Sequence, residues 1–195
     1  MMEDISPDVV SAVQDSWERI KDSSPAWEDD FGDRFLKSIF TKAPLSYKLL
    51  FPFGTTSGPA MFESEDFIEA ARTASTLMDM SVSLLECEMD ALFGQLLEIG
   101  LEHANFPRIQ TSHWSMMRDA LLRTLASYSS ALSEDCKDLE KVLSAWSLVF
   151  DNLSNEMVET IKPMKRKSWD SVSTTQGESV SQDSSASSAG WSQNR

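Results

Sequence analysis

Apolar side chains recur at steps of three and four residues through nearly the whole chain, and this single rhythm restricts the fold most. Val13, Trp17 and Ile20 follow it, as do Trp27, Phe31, Phe35 and Ile39, with Leu36 and Phe40 beside them. The last run is the longest: Leu139, Val142, Trp146, Val149 or Phe150, Leu153, Met157 and Ile161. A 3.6-residue period places such residues along one face of a helix, whereas a strand would alternate every second residue. No β-branched alternating run of useful length occurs, so the chain is expected to be all-α.

The punctuation agrees with the period. Ser6-Pro7-Asp8 reads as an N-cap, a proline in the first turn and an acid favoured by the helix dipole. Ser24-Pro25 repeats that start signal, and Lys42-Ala43-Pro44 is expected to end the second helix. From Pro44 to Phe62 the chain has no sustained period, and Pro52, Gly54, Gly58 and Pro59 break it up. Leu49, Leu50, Phe51 and Phe53 make that corner apolar enough to lean on a core. Ser64 can cap the next helix, which carries Phe67, Ala71, Ala74, Leu77 or Met78, Ser81 and Leu85, a stripe rich in small residues. Small inward side chains admit either a close neighbouring helix or a bulky ligand.

In the stretch Leu92 to Trp114, Leu92, Leu96, Ile99 and His103 share a helical face, which Asn105-Phe106-Pro107 then interrupts. An inward imidazole at that position is either a core histidine with satisfied hydrogen bonds or a metal or heme ligand. After it, Trp114, Met117, Leu121, Leu125 and Tyr128 resume the helical step, and Ser133 is placed to cap the final helix.

Charge and composition narrow the function classes. A net charge of −14 disfavours nucleic acid and acidic membranes as partners. No apolar run reaches the roughly 18 residues of a membrane span. The acidic start MMEDISPDVV lacks the basic and apolar head of a signal peptide, and Cys87 and Cys136 form no disulfide or metal spacing. These features predict a cytoplasmic protein with reduced thiols. Pro163 is expected to close the folded part. Residues 1–161 then form one domain, and 162–195 form a serine-rich tail with the composition of disorder. That tail holds five basic and three acidic residues, leaving about −16 on the rest. Its Lys165-Arg166-Lys167 cluster reads as a solvated basic patch or a localisation signal.

Taken in order, these features resemble a globin over about residues 6–161. Trp17 in QDSWERI is similar to the single tryptophan of many globin first helices. FLKSIFTKAP resembles the family's Phe-x-x-x-Pro, here Phe40 and Pro44, with Phe51 as the aromatic at the next corner. HANFPRIQTSHW resembles the proximal-histidine segment, with β-branched Ile109 six residues on, and SAWSLVFDNLSNEM resembles the last helix.

The resemblance implies a globin-like helical fold around a b-type heme. His103 would be the proximal iron ligand, Phe51 the heme wedge and Ile109 a proximal contact. Thr73, or Ala74 one residue along, would take the place of the usual distal histidine, with Leu77 and Leu36 completing the pocket. His113 would pack beside the pocket without binding iron. The function implied is reversible binding of O2, NO or CO for transport, storage or sensing, with a separate reductase as electron donor wherever sustained turnover is required. A heme-dependent NO dioxygenase or peroxidase, and a heme-free helical interaction module, are the rival readings.

Overall fold

A computed structural model of the chain describes residues 5–42, 58–85, 94, 98, 111–132 and 136–174, with side chains through Glu159. The described residues are helical: α1 (Pro7–Asp22), α2 (Trp27–Lys42), a 3₁₀ turn (Pro59–Glu63), α3 (Glu65–Ser83), α4 (Thr111–Ala126), α5 (Ser129–Leu132) and α6 (Cys136–Thr174). None of the described helices is long and apolar enough to cross a membrane.

The start signals fall where the helices begin. Ser6 is the N-cap of α1 by position, with Pro7 in its first turn, although its side chain makes no cap hydrogen bond. Ser64 caps α3, its Oγ accepting from the Phe67 amide at 3.3 Å while donating to the Met61 carbonyl at 2.7 Å. The second helix begins at Trp27, two residues past Ser24-Pro25, and Ser24 Oγ accepts from the Ala26 amide. The start of the last helix around Ser133 lies outside the described residues. Its far end differs from expectation, because α6 runs on through Pro163 to Thr174. Proline's fixed φ is itself compatible with a helix, and its cost inside one comes from the missing N–H and the crowded preceding turn. Pro163 therefore does not by itself dictate a stop.

The core is built round Trp17. Its ring meets Phe31 edge-on at 4.7 Å and Trp27 edge-on at 5.6 Å, and lies tilted against Trp146 at 5.8 Å. Such aromatic pairs contribute about 0.5–1.5 kcal/mol each beyond their buried area. The Trp17 and Trp146 indoles have their N–H satisfied: Trp17 Nε1 donates to Asp79 Oδ1 on α3, and Trp146 Nε1 to Ser16 Oγ on α1, each at 2.8 Å. These two bonds tie α1 to α3 and to α6.

Among the described helices, α2 and α3 cross closely at Gly32. Gly32 is buried, and a Cβ there would overlap the Ala71 carbonyl oxygen and lie 2.8 Å from Ser75 Oγ. The Ser75 hydroxyl donates to the Glu28 carbonyl at 2.6 Å, so the crossing is also hydrogen-bonded. Only a residue without a side chain lets two helix backbones come this close. The position of Gly32 thus decides how α3 lies against α2.

Candidate functional site

Beyond the Gly32 crossing, α2 carries Leu36 and Phe40, four and eight residues on and hence on nearly the same face. Both are buried. Phe40 meets Phe67 of α3 with ring centroids 6.2 Å apart, and Phe62 of the 3₁₀ turn meets Phe67 edge-on at 5.2 Å. Phe67 sits where two stripes of α3 meet, the buried one through Ala71, Ser75 and Val82 that faces Gly32 and a less buried one that begins at Ala70. Counting from Phe67 in steps of three and four gives Ala70, Ala74, Leu77 and Ser81, one continuous stripe. Ala70 and Ala74 are half-buried and packed against the core, Leu77 is half-buried and Ser81 is buried.

The opposite flank of α3 is spoken for by other helices. Arg72 pairs with Asp29 of α2, and Asp79 receives Trp17 and Lys21 of α1. The Arg72 hydrogen bond lowers the Asp29 carboxyl below its ordinary value, and the same bond raises the guanidinium. Lys21 Nζ sits 3.1 Å from Asp79 and 2.7 Å from Glu18. Burial lowers its pKa most strongly, yet the bonds to Glu18 and Asp79 and their charges together outweigh this, and the net shift is upward.

Of the sequence-predicted site residues, the structure brings Leu36 and Leu77 onto or beside this apolar wall. Thr73 lies one residue, about 100° of helix, away from Ala74 and is exposed. Its hydroxyl donates to the Glu69 carbonyl one turn back at 2.9 Å. Thr73 and Leu77 also line an open groove of about 510 Å³ on the outer side of α3, with Glu65, Ile68, Arg72 and Thr76. Phe51, His103 and Ile109 lie outside the described residues. His113 is half-buried on α4. Among the described residues no group of three or more His, Cys, Asp or Glu side chains is placed to hold a metal ion.

Ala70 and Phe67 join the wall although periodicity alone does not distinguish them from other members of an apolar stripe. The signal for them is the 3-4-3-4 spacing through Leu77 to Ser81, read together with the Phe40 partner.

The Globin family profile matches residues 33–157, from α2 through the His103 segment into α6. The chain belongs to the globin family. No curated protein sequence matches it. Among solved structures, this globin is similar to a hexacoordinated heme protein from an anhydrobiotic tardigrade. That likeness has a TM-score of 0.64 and 20% identity, and covers 79% of this chain and 96% of that one. It is also similar to a double mutant of myoglobin from Aplysia limacina, with a TM-score of 0.58 and 19% identity over 76% of this chain and 96% of that one. At these identities the likeness is one of fold.

Proposed function

We propose that this globin holds one b-type heme against the α2–α3 wall and reversibly binds a diatomic gas, O2, NO or CO. The family match over 33–157 carries the reading, since it spans both the wall and His103. The described residues fit the group. A macrocycle needs apolar neighbours, and Leu36, Phe40 and Phe67 are buried apolar side chains with the half-buried methyl groups of Ala70 and Ala74 packed against the same core. No charged side chain stands on that stripe.

In this reading His103 would hold the iron through a neutral imidazole nitrogen, and a hydrogen bond from its other N–H would fix the tautomer. The family resemblance would give Phe51, Ile109, Leu36, Leu77 and Thr73 the role of holding the heme. When bound, heme iron supplies the coordination position that the gas takes. The chain's own contribution is to exclude water with the apolar wall and to orient the imidazole. The protein works in the cytoplasm, and sustained turnover would need a separate reductase as electron donor.

The test is direct. Hemin added to the purified full chain should produce an intense Soret band at one equivalent, and the reduced form should shift sharply on exposure to CO. A titration with no saturable Soret change would overturn the assignment.

A further inference from the structure

The basic cluster Lys165-Arg166-Lys167 has no part in the heme reading, and neither has the outer side of α3. We propose that the two fit each other between molecules. The end of α6 of one copy lies in the outer groove of α3 of a second copy, and the chain forms a dimer through this exchange.

The groove combines apolar and acidic side chains. Ile68 and Met80 are the large hydrophobic residues that stand exposed among the described residues, at 40% and 46%, and both are on α3. Ile68 lines the groove together with half-buried Leu77, and Met80 lies one turn past Thr76, which also lines it. Glu65 and Glu69 line the same groove, and Asp66 is exposed beside them. Arg72 is the one cation among the described lining residues, and it is paired with Asp29 of α2. The groove therefore offers hydrocarbon contact together with an excess of negative charge.

The end of α6 has the complementary make-up. Met157 and Val158 are the last described side chains packed on the core, yet the helix continues as one piece to Thr174. From Val158 to Thr174 the backbone travels about 24 Å along the helix axis. Ile161, Met164, Ser168 and Val172 hold positions on one face of that stretch, while Lys162, Arg166 and Lys167 hold positions off it. With Lys165, residues 160–174 contain four cations against the single acid Asp170. An amphipathic helix laid by its apolar face into a hydrophobic groove is a recurrent mode of recognition, and opposite charges on the two sides select the partner.

The choice of a second copy follows from the fold and the charge. A continuous helix cannot turn back across its own body, and α6 packs on α1, α4 and α5 whereas α3 packs on α2, α1 and the 3₁₀ turn. The occupant of the groove is then another molecule. A net charge of −14 sets the chain as a whole against acidic membranes, whereas the acidic groove is a matching surface that every further copy brings with it.

The experiment follows the full chain by sedimentation velocity over concentrations from micromolar to sub-millimolar. Wild type should pass from monomer to dimer as concentration rises. Raising the salt should shift it back toward monomer, because the Debye length falls from about 10 Å at 0.1 M to about 3 Å at 1 M. Arg166→Glu with Lys167→Glu, and separately Glu65→Lys with Glu69→Lys, should each weaken association about fivefold or more. Mixed in equal amounts, the two variants should pair again, since each groove then meets an end of opposite charge. A chain ending at Ile161 should stay monomeric.

A wild type that is monomeric throughout would overturn the proposal. So would a dimer that survives both reversals or the truncation, or a mixture of folded variants that stays apart. Where a variant loses its helical circular-dichroism signal, the salt series and the truncation still decide. Binding of a monomeric full chain to phosphatidylserine vesicles, lost on truncation, would give the end of α6 to a membrane and overturn it as well. These readouts need no heme and stand apart from the Soret titration.

Discussion

Gly32→Ala is the substitution whose outcome the geometry dictates most sharply. The new methyl group would overlap the carbonyl oxygen of Ala71 and press on Ser75 Oγ. A backbone carbonyl inside a helix cannot rotate aside, so α2 and α3 must separate by roughly an ångström, which forfeits a quarter to a half of each dispersion contact along the seam. Overpacking of a rigid core costs about 1–3 kcal/mol, and the loosened Phe40–Phe67 contact adds to it. Alanine's better helix propensity returns about 1 kcal/mol. The net loss should be about 1–2 kcal/mol, which lowers the melting temperature of a chain this size by roughly 2–8 °C. Thermal unfolding followed by circular dichroism measures it. Gly94→Ala is the control, because that glycine is helical and exposed, with nothing within 4 Å of an added Cβ. It should melt at or above the wild-type temperature. A Gly32→Ala protein as stable as wild type would refute the close crossing, and with it the placement of α3 on which the wall depends.

Three further outcomes follow from particular contacts. The Tyr128 hydroxyl is buried without a partner among the described residues, and burial raises its pKa above the ordinary 10.0; Tyr128→Phe should therefore be neutral or stabilising by up to about 1 kcal/mol in urea unfolding, and a clear loss would mean the hydroxyl is bonded. Lys21 has a folded pKa raised above 10.5, so the stability it contributes is complete below that pH and is lost as pH rises through the folded value. Lys21→Met should accordingly flatten the alkaline decline of the melting temperature, and an unchanged decline would remove Lys21 from the account. The last described side chains packed on the core are Met157 and Val158; truncation after Ile161 should keep the melting temperature and heme uptake, and a drop of many degrees in the first would make the remainder of α6 part of the fold.

Much of this was legible because helix burial follows a period that residue types announce. Val13, Trp17 and Ile20 on α1, and Phe31, Phe35, Leu36, Ile39 and Phe40 on α2, are all buried as their spacing requires. The cap at Ser64 was readable for the same local reason. What spacing does not reveal is which part of an apolar stripe meets which neighbour. Thr73 and Ala74 are adjacent in the sequence, yet one residue turns a side chain by about 100°, and only the contacts of Phe67, Arg72 and Asp79 show how α3 is rotated. Asp79 reads locally as a solvated acid, and its role as acceptor for Trp17 depends on a partner 62 residues away. Gly32 looks like a weak point in a helix until the backbone of Ala71 is placed against it. Pro163 carries a stop signal that its own φ does not enforce, which is why α6 outruns the expected boundary.

In the proposed reading His103 holds the iron of a heme in this globin. This reading is tested most directly by adding hemin to wild type, His103→Ala and His113→Ala and recording the ferrous spectra. Wild type and His113→Ala should give a five-coordinate, histidine-ligated ferrous spectrum, and His103→Ala should lose most heme or change its axial ligand. The same ferrous spectrum and heme affinity in wild type and His103→Ala would contradict it.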